Sequence, residues 1–155
     1  MNRLRIPGLR PVAPLQAMGV ARFEAGLTSG APQMQVCNAC GQAHFPPPCA
    51  CSCGGTSFRA ENLPTTGTLY AATIIHAAPG ALAALAPYVV GLIDLQDGPR
   101  LLLRVLGPQG WEPECDSPVQ LLILDYDDGP VLAACPENID LTDTTAAGQN
   151  AQAGT

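Results

Sequence analysis

Lysine is absent from this chain: the basic residues are seven arginines against thirteen acids, for a formal net charge of −6. Nonspecific nucleic-acid binding draws most of its affinity from neutralising phosphates, so this balance argues against that class. Only two histidines are present, and no local nucleophile motif accompanies them. No catalytic residue is therefore expected on this chain. No apolar run approaches the ~20 residues of a membrane span; the longest, around Tyr70 to Ala78 and Val119 to Leu124, are strand length. Pro7, Gly8, Pro11 and Pro14 interrupt the stretch after Arg3 and Arg5, which speaks against a signal peptide. A chain of this kind with C-x-x-C spacing is expected to keep reduced thiols on a metal in a cytoplasm. Charged residues are scarce as well, at 13% beside 47% hydrophobic residues, which points to a surface partly covered by a partner.

Glycine and proline are plentiful, 16 of each in 155 residues. That composition suits many turns and short strands. Gly67 to His76, rich in β-branched and aromatic residues, reads as a strand, and Tyr88 to Leu95, Arg100 to Leu106, Val119 to Tyr126 and Val131 to Cys135 read as four more. Gln96-Asp97-Gly98-Pro99 and Asp127-Asp128-Gly129-Pro130 read as tight hairpin turns. Five short strands with hairpins predict a mainly β chain built on a five-stranded OB-fold barrel, with an SH3-like barrel as the competitor. The expected division is an extended and helical arm over 1–33, a zinc ribbon over 34–62, the OB-fold over 63–136 and a disordered tail over 137–155. Within the arm, residues 15–27 can form a short helix placing Leu15, Met18, Arg22 and Phe23 on one side.

Five cysteines fall within seventeen residues: Cys37, Cys40, Cys49, Cys51 and Cys53. Cys37 and Cys40 form a C-x-x-C followed by Gly41, and Cys53 is followed by Gly54. Paired cysteine-glycine turns are the pattern of a structural tetrathiolate site, most often zinc. The second half is irregular. A regular C-x-x-C ending at Cys53 would start at position 50, which is alanine. Either Cys51 and Cys53 chelate as C-x-C, with i and i+2 on one side of an extended chain, or Cys49 replaces Cys51. Four thiolates leave no open position for catalysis. A rubredoxin-type iron site is the competing metal. Cys115 sits in an acidic loop, and Cys135 ends an apolar strand where plain packing is expected.

These residues resemble the rubredoxin-like zinc-ribbon plus OB-fold proteins that accompany acyl-CoA-processing, thiolase-type enzymes. The resemblance rests on Cys37, Cys40, Gly41, Phe45, Pro46 and Pro47, then on Gly67, Tyr70, Thr73, Ile74, Ile75 and His76, on Pro87 to Leu102, and on Asp127, Asp128 and Gly129. It spans roughly residues 23 to 135. Two departures stand out: the shortened second knuckle, and Pro48 where the family carries arginine. The resemblance implies a noncatalytic subunit beside a thiolase-like or acyltransferase partner. Such a subunit helps to form the acyl-CoA site or a passage between active sites, and some relatives are paired with hydratases or aldolases. Coenzyme A requires cations for its phosphates; Arg59, Arg100 and Arg104 are the candidates. His76 is expected to be structural, and Trp111 and Tyr70 to serve as core or partner-facing anchors. Residues 1–14 and the apolar Ala77 to Pro87 segment are the expected partner contacts. A nucleic-acid-binding zinc-ribbon/OB module is the alternative function.

Overall fold

The computed structural model describes residues 1–11, 20–46, 48–108 and 111–139. Nine strands and one α-helix are found among them: β1 (Asn2–Arg5), α1 (Val20–Ser29), β2 (Gln33–Cys37), β3 (Ala43–His44), β4 (Phe58–Asn62), β5 (Thr66–Ile75), β6 (Tyr88–Leu95), β7 (Arg100–Val105), β8 (Pro118–Tyr126) and β9 (Gly129–Pro136). A 3₁₀ turn spans Gly80–Leu85, inside the segment read as a linker. The expectations for Leu15, Met18, Pro47 and the tail from residue 140 lie outside the described residues.

The five expected strands close on themselves. β5 pairs with β6, β6 with β7, β7 with β9, β9 with β8, and β8 back with β5. Every pairing is antiparallel except β7–β9, which is parallel at Val105↔Ala134. A five-stranded ring of this order is an OB-fold barrel. Alternation along the strands fills it: Leu69, Ile93, Leu101, Val105, Val119, Leu121, Ile123 and Leu132 are buried in one cluster. Gly91 belongs to this interior, because a β-carbon there would stand 2.6 Å from Leu69 Cδ1 and 2.9 Å from Val105 Cγ2. The β6–β7 turn is longer than the two-residue hairpin that Asp-Gly suggests. Asp94 pairs with Arg100, and Asp97 takes the left-handed conformation at φ 58°.

β8 is apolar on both faces, which explains its unbroken Leu121-Leu122-Ile123-Leu124 run. Leu122, Leu124 and Tyr126 point away from the barrel interior into a second cluster with Ala133 and Cys135, covered by Leu4 and Ile6. The cover is β1, which lies parallel to β8 from Asn2↔Leu122 to Arg5↔Asp125. Arginines fasten it. Arg3 makes a two-point contact with Asp125 (2.7 and 2.5 Å) and donates to the carbonyls of Leu27 and Thr28 at the end of α1. Arg5 pairs with Asp127. Residues 1–14 are an expected partner contact; their described part, residues 1–11, lies along this chain's own barrel.

A second sheet, ordered β3-β2-β4, carries the cysteine module. Met34 and Val36 of β2 enter the barrel cluster beside Leu27 and Leu63, so the module packs on the barrel through shared core. Phe23 of α1 meets Phe45 edge-on, with ring centroids 4.9 Å apart.

Candidate functional site

β2 delivers Cys37 to the end of the small sheet, and the chain turns immediately. Gly41 N–H donates to the Cys37 carbonyl at 2.9 Å, with Gly41 at φ 77°. The second turn repeats the device more tightly: Gly54 N–H donates to the Cys51 carbonyl at 2.9 Å, with Gly54 at φ 84°. Both backbone conformations favour glycine. The two turns bring the sulfurs of Cys37, Cys40, Cys51 and Cys53 within 4.8 Å of one another. Cys49 is exposed and lies outside this group.

The donor chemistry fits a metal. Zn–S bonds of about 2.3 Å place tetrahedral sulfurs roughly 3.8 Å apart. Cys37–Cys53 and Cys40–Cys51 stand at 3.7 and 3.5 Å, too far for a disulfide. Backbone N–H groups already face the sulfurs. Those of Cys40 and Ala39 hold the Cys37 thiol below its usual range. The Cys53 N–H, followed by contact with His44, brings Cys51 down to about 5 against the cost of burial. Cys40 behaves oppositely. The Gln42 N–H favours its thiolate, but the crowding sulfurs of Cys53 and Cys51 outweigh it and push Cys40 up to about 12. Four thiols this close cannot all ionise without a cation between them.

His44 lies beside the cluster rather than in it. Its Nε2 is 3.3 Å from Cys51 Sγ, and its ring meets Phe58 edge-on. Gln42 accepts from Ser52 Oγ at 2.8 Å, tying the two turns together. Gly55 is a site residue that cysteine spacing does not single out. A β-carbon there would lie 3.0 Å from Cys37 Sγ and 3.4 Å from Cys53 Sγ, so glycine leaves room for the sulfurs. The Cys-Gly-Gly sequence is the available signal.

The three arginines weighed for coenzyme A do not line one place. Arg59 pairs with Glu61 on the ribbon at 2.7 Å. Arg100 grips Asp94 through Nε and Nη2 at 2.5 and 2.7 Å and lies over the Tyr70 ring, 3.8 Å from its centroid. The same contacts hold the Asp94 carboxyl below the usual range. Arg100 also lines an open cleft of about 440 Å³ between module and barrel, with Gln42, His44, Phe45, Gly98 and Pro99. Arg104 lies on the outer barrel surface, with no ion pair among the described residues. His76 is exposed just past β5. Trp111 packs against the barrel cluster and over Gly107, whereas Tyr70 is 51% exposed. Cys115 is exposed; Cys135 is buried, which pushes its thiol up to about 11.

Fold and site together define a mainly β protein in which an OB-fold barrel carries a ribbon-like module holding a four-sulfur cluster. Residues 60–124 match the family model described as ChsH2, C-terminal OB-fold domain, so the resemblance read from the sequence holds. A curated relative from Thermomonospora curvata, named "Probable enoyl-CoA hydratase alpha subunit", is 33% identical over 95 residues. The match covers 61% of this chain and 30% of that relative, so the chain spans under a third of its length. Among solved structures, a chain titled "Ltp2-ChsH2(DUF35) aldolase" is similar at TM-score 0.68 and 27% identity, covering 80% of this chain and 98% of that one. A DUF35-family protein of unknown function from Sulfolobus solfataricus shares the fold at TM-score 0.55 and 15% identity, over 78% of this chain and 87% of that one. No helix among the described residues is long and apolar enough to cross a membrane.

Proposed function

We propose that this chain is a noncatalytic accessory subunit of a thiolase-like, acyl-CoA-processing complex, where it helps to form the acyl-CoA site and bridges subunits. The observation that carries the reading is the match to the ChsH2 OB-fold model, in a chain whose clustered chemistry is a closed four-sulfur site. Two similar proteins bear names from acyl-CoA hydration and from an Ltp2-ChsH2 aldolase. A zinc ion held by Cys37, Cys40, Cys51 and Cys53 would supply a structural cross-link between the two turns, with no open coordination position for substrate. The module would then serve to hold His44, Phe45 and Gln42 against the barrel.

Coenzyme A would enter at the module–barrel cleft, which Arg100 lines. Asp94 engages Nε and Nη2 of that guanidinium, and Nη1 remains for a phosphate oxygen. Arg59 and Arg104 lie outside the cleft lining. The test is co-expression with a thiolase-like or acyltransferase protein of the same organism, only one of the two carrying a tag. The reading expects a stable complex that binds acyl-CoA; two proteins that purify apart would sink it.

A further inference from the structure

Four thiolates around one divalent ion carry a net negative charge, and this chain has no lysine to answer it. The one arginine on the small sheet, Arg59, is taken by Glu61. N–H donors answer the charge instead. The backbone N–H groups of Ala39 and Cys40 face the Cys37 sulfur, that of Gln42 faces Cys40, and that of Cys53 faces Cys51. Among the described residues, one side-chain nitrogen joins them: His44 Nε2, 3.3 Å from Cys51 Sγ.

The small sheet holds the ring in that place. Gln35 and Cys37 lie two apart on β2 and so share a face. Their cross-strand partners are His44 on β3 and Phe58 on β4, respectively, which puts both rings on that face. The rings meet edge-on, with centroids 5.9 Å apart and planes at 86°. The other polar contacts of Cys51 cannot serve a metal-bound sulfur. Gln42 Oε1, 3.6 Å away, is an acceptor, and Ser52 Oγ, 3.9 Å away, donates to that same oxygen at 2.8 Å. A metal-bound thiolate has no proton and can only accept, so the contact with His44 persists in the loaded site with the hydrogen on Nε2. His44 does not belong to the group of four whose ligand atoms all lie within 4.8 Å of one another. The imidazole therefore touches one sulfur from outside and takes no place around the ion.

We infer that His44 is a positioning residue of the metal centre, donating Nε2–H to the Cys51 thiolate. The inference rests on the reading of the four sulfurs as a metal site and is independent of the accessory role. Groups that hydrogen-bond to metal ligands orient them and raise affinity. Cys51 stands in the irregular half of the site, where one residue separates it from Cys53, and His44 steadies it there. The same ring lines the module–barrel cleft, which puts the metal centre one side chain away from that cleft.

The test loads the full chain with zinc or cobalt(II) and compares three variants. His44→Phe keeps a ring against Phe58 and removes the N–H, His44→Ala removes both, and His44→Gln keeps a donor of similar reach. All three are expected to keep the wild-type circular dichroism, because His44 is no part of the barrel core. Zinc affinity, measured by chelator competition, is expected to fall roughly ten- to a hundred-fold in His44→Phe and His44→Ala, and to stay within about three-fold of wild type in His44→Gln. A thiolate that loses a hydrogen bond becomes a better electron donor. The sulfur-to-cobalt charge-transfer band should therefore move to longer wavelength in His44→Phe and return in His44→Gln. Wild-type affinity and band position in His44→Phe overturn the inference and leave the metal site standing. Equal losses in His44→Gln and His44→Phe overturn it too, because the N–H would then carry nothing. A wild-type cobalt spectrum of three sulfurs and one nitrogen would make His44 a ligand and overturn it as well. A wild-type chain that binds neither ion removes the metal reading and the inference together.

Discussion

Gly55 stands so close to Cys37 that a β-carbon on it would lie 3.0 Å from the Cys37 sulfur. That approach is tighter than ordinary van der Waals contact, and the neighbour it presses is a proposed metal ligand. Gly55→Ala is therefore expected to lower zinc affinity roughly ten-fold, the scale seen when groups supporting metal ligands are altered. Competition with a colorimetric chelator measures it. Unchanged retention would mean the sulfurs tolerate the added carbon.

Cys49 and Cys51 separate cleanly in the structure, and their serine variants should separate too. Cys51→Ser removes one of four clustered sulfurs and is expected to abolish stoichiometric zinc by elemental analysis. Cys49→Ser, at an exposed cysteine outside the cluster, is expected to keep one zinc per chain. The reverse pattern would reassign the fourth ligand.

Arg10 clamps the β8–β9 turn to α1. Its side chain, 11% exposed, pairs with Glu24 at 3.1 Å and Asp128 at 3.2 Å and donates to the Asp128 carbonyl at 2.9 Å. Losing charge-assisted hydrogen bonds at such a site costs about 2 kcal/mol, so Arg10→Ala is expected to lower Tm by roughly 4–8 °C. The same contacts govern the titration of Asp128. Burial alone would raise its pKa, but hydrogen bonds from the Arg10 backbone and side chain win and hold it below 3.8. A depressed carboxylate contributes stability above its unfolded pKa, and that contribution is lost as pH falls through the lower folded value. Carbon NMR of the Asp128 carboxyl should show the depressed titration in the wild type, and a higher one in Arg10→Ala.

The contrast between barrel and arm shows what is legible in the chain. β6 is readable to the residue as Tyr88–Leu95 because it is an apolar run of strand length, and its flanking turns carry Pro87 and Asp97-Gly98. β1 escapes because four residues with two arginines carry no strand pattern of their own; their strand exists only because β8 offers Leu122 and Leu124 on its outer face. The ligand choice stays open in the sequence for a similar reason. Cys51 and Cys49 differ by two residues, and the turn in which Cys51 N–H bonds to the Gly55 carbonyl at 2.8 Å separates them. That closure leaves no trace in spacing alone. Alternation places Arg100 and Arg104 on one strand face, but the engagement of Arg100 by Asp94 depends on the β6–β7 register.

Arg100→Ala tests the proposed coenzyme A contact at the cleft. Its pair with Asp94 is exposed on both sides, and such pairs contribute little to stability, so the variant should fold and retain zinc. In the reconstituted complex KM for acyl-CoA is expected to rise several-fold with kcat preserved. A KM equal to wild type would remove Arg100 from the acyl-CoA site.

The most direct measurement of the accessory role is the acyl-CoA turnover of the purified thiolase-like or acyltransferase partner, assayed alone and after adding this chain in equimolar amount. The account predicts that the partner alone is at least ten-fold slower or inactive, that this chain alone is inactive, and that mixing restores full turnover. Full turnover by the partner without this chain would contradict it.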